Sequence, residues 1–200
     1  MKVNNIVRVA RLAAGASLLI GMGDYVLLKV GEPLGPFLFA FGLLGVCVLG
    51  LNLFTGKCGF LFEDGISVAT LLTILVANLV AGYLIGAVFG LVDGTVVEAA
   101  TAKVAGWGLT GEFFLKSVLC GIIMYLAVAI YKKGSSLGIL LGVPLFIFCG
   151  FQHSIANAIT LGMHMAGNEL MNLYMIGMVA FAAIGNAVGA IIIDQLMKQK

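Results

Sequence analysis

The chain has 200 residues, 62% of them hydrophobic and only 10% charged, with a mean hydropathy of +1.15. A water-soluble domain carries roughly a quarter charged residues, so this composition excludes a soluble globule and leaves an integral helical membrane protein. The net charge is only +2 and its basic residues lie scattered at segment ends, which excludes a nucleic-acid-binding surface.

A bilayer crossing needs about 20 mostly apolar residues. Reading between clusters of charged and turn-forming residues predicts six spans, near 7–28, 35–61, 66–91, 111–131, 137–162 and 170–195. Lys2, Arg8 and Arg11 come before an apolar run in the manner of a signal peptide. The rest of the chain is equally apolar, so a retained helix is expected. Asp24 falls near that span's far end, where headgroups or a loop donor would receive it.

The second span, "PFLFAFGLLGVCVLGLNLFTG", carries Gly42, Gly45 and Gly50 and ends on polar Asn52 and Thr55. The third contains Asn78 in "ANLVAG". A long connection over 93–110 follows, with Lys103 and an interfacial Trp107. The fourth span opens near Lys116, whose stem is expected to snorkel to the interface.

The fifth span is the anomaly. Pro144 and Gly150 precede "GFQHSIAN", in which Gln152, His153, Ser154 and Asn157 interrupt an otherwise apolar run. Pro removes a backbone donor and Gly loosens the helix. Non-helical backbone at membrane depth survives only where protein covers it or a wet cavity receives it. The second and fifth helices are therefore expected to be interrupted, a pairing that points to a transport site. His164, in "GMHMAGNE", is expected at the surface. The sixth span contains Asn186 in "GNAVGA", echoing the third. Both asparagines fit interhelical hydrogen bonding, and Gly86/Gly90 and Gly185/Gly189 fit close helix packing.

Three spans followed by three imply a 3+3 inverted repeat with halves near 7–91 and 111–195, forming one channel domain over 1–200. Lys2, Arg8, Arg11, Lys57, Lys132, Lys133, Lys198 and Lys200 fall on one face. Lys29, Lys103 and Lys116 fall on or near the other. The positive-inside rule then places both termini in the cytoplasm. Cys47, Cys58, Cys120 and Cys149 lie far apart with no C-x-x-C pair, so small buried hydrophobes are expected rather than a disulfide. With only two histidines, no metal and no cofactor are expected.

"GFQHSIAN" resembles the signature of the formate/nitrite transporter family, usually G-F-E-H-S-x-A-N. "FAFGL" at 39–43 with "LFTG" at 53–56 resembles that family's interrupted second helix, and "NLVAG" and "IGNAVGA" resemble its third and sixth helices. The resemblance covers about Arg11 to Ile193. It implies an all-α, aquaporin-like fold of six transmembrane helices, assembled as a homopentamer in the cell inner membrane with a pore through each protomer. The pore would pass small monovalent anions such as formate, nitrite or hydrosulfide. By the same resemblance His153 is the central pore histidine, with Thr55, Asn157 and Lys103 as further substrate-binding positions. Phe39, Leu43, Phe146 and Phe151 narrow the pore or flank its narrow part. Two departures stand out: Gln152 replaces the usual Glu, and Tyr125 stands where Asn is usual.

An ion entering a low-dielectric constriction faces a Born cost on the order of 20 kcal/mol before relaxation. Either dipoles follow the anion or it takes a proton and crosses as a neutral acid. His153, oriented by Thr55 and Asn157, is expected to donate a hydrogen bond to the anion and to lend it a proton. Lys103 is expected to raise the local anion concentration. An aquaporin-like pore for neutral solutes is the alternative, although the sequence has no N-P-A box. A membrane-embedded enzyme lacks catalytic partners at the depth of His153.

Overall fold

The structure is a computed structural model that describes residues 3–61, 63–167 and 173–198. Lys2 and Lys200 of the expected basic face, and the first residues of the expected span 170–195, lie outside the described residues. Among the described residues the chain is all-helical, with nine α-helices: α1 Val3–Val30, α2 Leu34–Val48, α3 Phe54–Lys57, α4 Val68–Val92, α5 Gly94–Ala105, α6 Gly111–Lys132, α7 Leu137–Phe148, α8 Ser154–Met165 and α9 Leu173–Met197. A short 3-10 turn, Cys58–Phe60, follows α3.

Among the described residues, four helices are long and apolar enough to cross a membrane: Asn5–Val30 within α1, then α4, α6 and α9. α4 carries Leu72, Val76, Val80, Leu84 and Val88 on one exposed stripe. A stripe of that length has no place in water and faces lipid or a neighbouring apolar surface. The second and fifth expected segments do not run as single helices. α2 stops at Val48 and α3 begins at Phe54; α7 stops at Phe148 and α8 begins at Ser154.

The two breaks share one construction. Leu49 and Cys149 donate to carbonyls one turn back, Gly45 and Leu145. Gly50 and Gly150 then take φ of 63° and 65°, a left-handed turn that a side chain disfavours. Leu51 and Phe151 donate back to Val46 and Phe146. The chain runs extended through Leu53 and His153 before helix resumes.

Each break leaves backbone groups that hydrocarbon cannot satisfy, and one asparagine serves each. Asn78 Oδ1 accepts from the Phe54 N–H at 2.8 Å, while its Nδ2 donates to the carbonyls of Ala13 (2.8 Å) and Asn52 (3.0 Å). Asn186 Oδ1 accepts from the Ser154 N–H at 2.9 Å, while its Nδ2 donates to the carbonyls of Ser117 and Gln152, both at 2.8 Å. These asparagines thus hold broken backbone as well as joining helices.

α4 packs on α8, α6 on α9, α1 on α2 and α4, and α7 on α2 and α6. The crossings are close because glycines line them. A Cβ on Gly86 would meet the Ile159 carbonyl, and one on Gly189 the Val118 carbonyl. α8 is buried from Ser154 to His164, which makes it the innermost element. The 93–110 stretch is not a plain connection. Asp93 accepts from the Thr95 N–H and starts α5, which packs on α8 and α1.

Candidate functional site

His153 closes the second break and its ring is 2% exposed. The ring's two nitrogens have separate duties. Nδ1 accepts the Ala156 N–H at 3.1 Å, satisfying a donor of the first turn of α8. A neutral ring in this pose carries its proton on Nε2, which lies 2.9 Å from Thr55 Oγ1. Nε2–H therefore donates to Thr55. The Thr55 hydroxyl keeps a proton of its own for which no acceptor exists among the described residues.

Phenylalanines enclose this pair. Phe146 stacks on the imidazole with centroids 5.7 Å apart, and Phe39 meets Phe146 edge-on at 6.0 Å. Phe39 and Phe146, with 2% and 4% exposure, are interior rather than lipid-facing. On one side opens a cavity of about 410 Å³, at the C-terminal end of α1, lined by Phe39, Phe146, Phe151, His153, Asn157 and Lys103 among others. On the other lies a smaller cavity of about 130 Å³ near the C-terminal end of α6, whose lining includes Leu43 and Leu53. The two cavities share no lining residue. Phe39 faces the larger and Leu43, one turn further along α2, the smaller, so a thin plug of side chains separates them.

The structure thus brings His153, Thr55, Phe39, Leu43 and Phe146 together at the plug, and puts Phe151, Asn157 and Lys103 around the larger cavity. Asn157 does not bond the imidazole. Its side chain donates to Gln152 Oε1 at 3.0 Å, and only its backbone N–H reaches the His153 carbonyl, at 2.8 Å. Gln152 also donates to the Gly150 carbonyl at 3.2 Å, so the amide braces the break. Tyr125 lies elsewhere: its hydroxyl donates to Asp194 at 3.2 Å, and its ring stacks on Phe60 with centroids 4.6 Å apart.

Two further sequence expectations are corrected. Asp24 reaches neither headgroups nor a loop; it is fully buried, with Thr160 donating to Oδ2 at 2.7 Å and Lys103 Nζ 3.3 Å from Oδ1. His164 belongs to α8, is 9% exposed, and sits 2.9 Å from Thr101 Oγ1. Trp107 is half-buried beside the larger cavity, edge-on to Phe113. No isolated motif announces these contacts, because each partner is far away in sequence. Among the described residues, no group of three or more His, Cys, Asp or Glu side chains is arranged to hold a metal ion.

Four helices long and apolar enough to span, with two Asn-held breaks around a buried imidazole, define a multi-pass helical membrane protein with a broken-helix core. The family model for formate/nitrite transporters matches residues 4–198, so the chain belongs to the formate/nitrite transporter family, a family of transporters rather than enzymes. A solved structure described as an FNT family ion channel superposes with a TM-score of 0.77 at 23% identity, covering 96% of this chain and 94% of that one. A second, a pentameric formate channel with formate bound, gives 0.75 at 18% identity, covering 98% and 95%. No curated protein matches by sequence.

Proposed function

We propose that the chain is a channel for small monovalent anions of weak acids, of the formate, nitrite or hydrosulfide kind, working as a homopentamer with a pore in each protomer. In this reading the halves form a 3+3 inverted repeat of six crossings in the cell inner membrane, with both termini cytoplasmic. The matched Asn78 and Asn186 bonding supports the repeat, and the pentameric neighbour supports the assembly. The observation that carries the function is the buried His153–Thr55 pair at the plug between two cavities.

The pair has the right kind of polarity for an anion. Nε2–H and the Thr55 hydroxyl are both donors, and the surrounding phenylalanines offer nothing to a cation's hydration shell except ring faces. An anion at the plug takes the Thr55 proton as a hydrogen bond and competes with Thr55 for Nε2–H. The hydrogen bonding of the ring favours donation without proton transfer. A proton added at Nδ1 would set two donors, Nδ1–H and the Ala156 N–H, against each other. On this reading His153 works as a hydrogen-bond donor, and the proton that lets a weak acid cross is taken from hydronium in the aqueous cavity, leaving water behind.

The test is flux into vesicles holding the purified protein, with formate, nitrite, hydrosulfide, acetate or glycerol outside, at two pH values. Formate-class anions should pass and glycerol should not; glycerol flux alone would favour the neutral-solute pore. His153→Ala removes a donor to a charged group, worth about 1.5–3 kcal/mol. Flux should fall at least tenfold, and unchanged flux would remove His153 from the mechanism.

A further inference from the structure

Three formally charged residues line the larger cavity, and they do not sum to the positive field that a lysine at an anion's entrance implies. Lys103 supplies an ammonium, whereas Asp24 and Glu32 supply carboxylates. Asp24 is the unusual member. It is wholly buried, yet it forms part of the cavity wall. Its Oδ2 accepts from the Thr160 hydroxyl at 2.7 Å and its Oδ1 lies 3.3 Å from Lys103 Nζ, which also approaches Thr160 Oγ1 at 3.2 Å. The three groups come from α1, α5 and α8, so the cluster is assembled by the fold. Lys103 itself is one-third exposed and contributes to the cavity lining.

A carboxylate in a membrane helix is costly unless paired, and packing alone gives no reason to place one here. We propose that Asp24 is a positioning residue that sets the cavity's affinity for anions by anchoring Lys103 and cancelling most of its charge. This inference rests on the anion-channel reading above. A free ammonium would hold an anion long enough to delay its release; a compensated one admits it and lets it leave. At distances beyond a few ångströms the ion pair is nearly neutral, so the pull on an anion is felt only inside the cavity.

The experiment is a charge series on the full chain in vesicles, with formate as the probe and the half-saturating formate concentration and the maximal flux measured separately. Asp24→Asn frees Lys103 and should lower the half-saturating concentration about fivefold, the order of one partly exposed ionic interaction, while maximal flux does not rise. Lys103→Gln should raise it by a similar factor. The double variant should fall between the two single variants, and the whole spread should narrow in high salt.

An Asp24→Asn protein that assembles but binds formate more weakly, or equally, overturns the proposal, since a purely structural carboxylate would behave that way. If Asp24→Asn does not assemble, the unaltered protein still tests the compensation: a neutralised Lys103 predicts a half-saturating formate concentration that changes by less than about twofold between low and high salt, and a larger change overturns the proposal. Absence of formate flux in the unaltered protein would instead defeat the channel reading, so the two failures are distinguishable.

Discussion

Asn186→Ala is the perturbation whose consequence follows most directly from the geometry. The side chain is 0% exposed and makes three hydrogen bonds of 2.8–2.9 Å, to the Ser154 N–H and to the carbonyls of Ser117 and Gln152. Truncation strips their partner from one donor and two acceptors, the Ser154 N–H and Ser117 carbonyl buried and the Gln152 carbonyl partly so. At about 1 kcal/mol each, near the middle of the range for such groups in proteins and above the mean measured inside membranes, the loss is about 3 kcal/mol. For a chain of this size that is a fall in melting temperature on the order of 6–12 °C.

The functional loss should exceed the loss of stability. Ser154 starts α8 directly after His153, so an unheld Ser154 lets the imidazole drift from Thr55. Asn186→Asp separates the bonds: it keeps the acceptor for Ser154 but loses both donors, and it adds a charge with no partner. Melting in detergent by intrinsic fluorescence, paired with formate flux in vesicles, measures both effects. An Asn186→Ala protein that melts within about 1 °C of the unaltered chain and conducts normally would refute the account of how the break is held.

Other outcomes follow from single contacts. The Ser154 hydroxyl is buried with no partner among the described residues, so Ser154→Ala should leave the melting temperature unchanged or raised; a loss above about 2 kcal/mol would reveal a bond not accounted for. Gly189→Ala drives a methyl into the backbone of α6, with no flexible side chain to yield, and should cost about 1–3 kcal/mol. Gly111→Ala, with open space around the added methyl, should be neutral in the same melting assay.

Asp93, just beyond α4, accepts from Lys29, Thr95 and Tyr25, and these bonds, that from Lys29 foremost, hold its carboxyl well below the usual carboxylate range. A carboxylate depressed on folding contributes stability that is complete above its unfolded value and is lost as pH falls through the folded one. The melting difference between the unaltered chain and Asp93→Asn should therefore stay flat from about pH 8 to about pH 5 and shrink only in stronger acid. A difference that has gone by about pH 6 would contradict this.

How much of this was readable in the sequence depended on how rare the signal was. Polar residues inside "GFQHSIAN" stand out because an apolar span has no use for them unless backbone or a permeant needs them, and the two breaks followed. The echo between "ANLVAG" and "GNAVGA" was visible, but not which backbone groups the asparagines serve, since their partners lie on other helices. Asp24 was legible only as a charge near a helix end. Its burial depends on α5 and α8 bringing Lys103 and Thr160 to it. α5 itself was missed because "GTVVEAATAKVA" is too short and too mixed to read as a span. His164 was misread for a related reason: α8 is buried on all sides, and sequence does not reveal how many neighbours a helix has.

The residues that precede the resumed helices, Leu53 and His153, have nearly the same backbone, with φ/ψ of −103°/125° and −101°/111°. The scaffold is duplicated there, but only one copy carries a ring that can donate. On the proposed reading, a traveller therefore meets one polar station within the plug itself, and the attraction of Lys103 acts in the wider cavity outside it. Inside the plug two ions then have no adjacent resting places from which one could push the other.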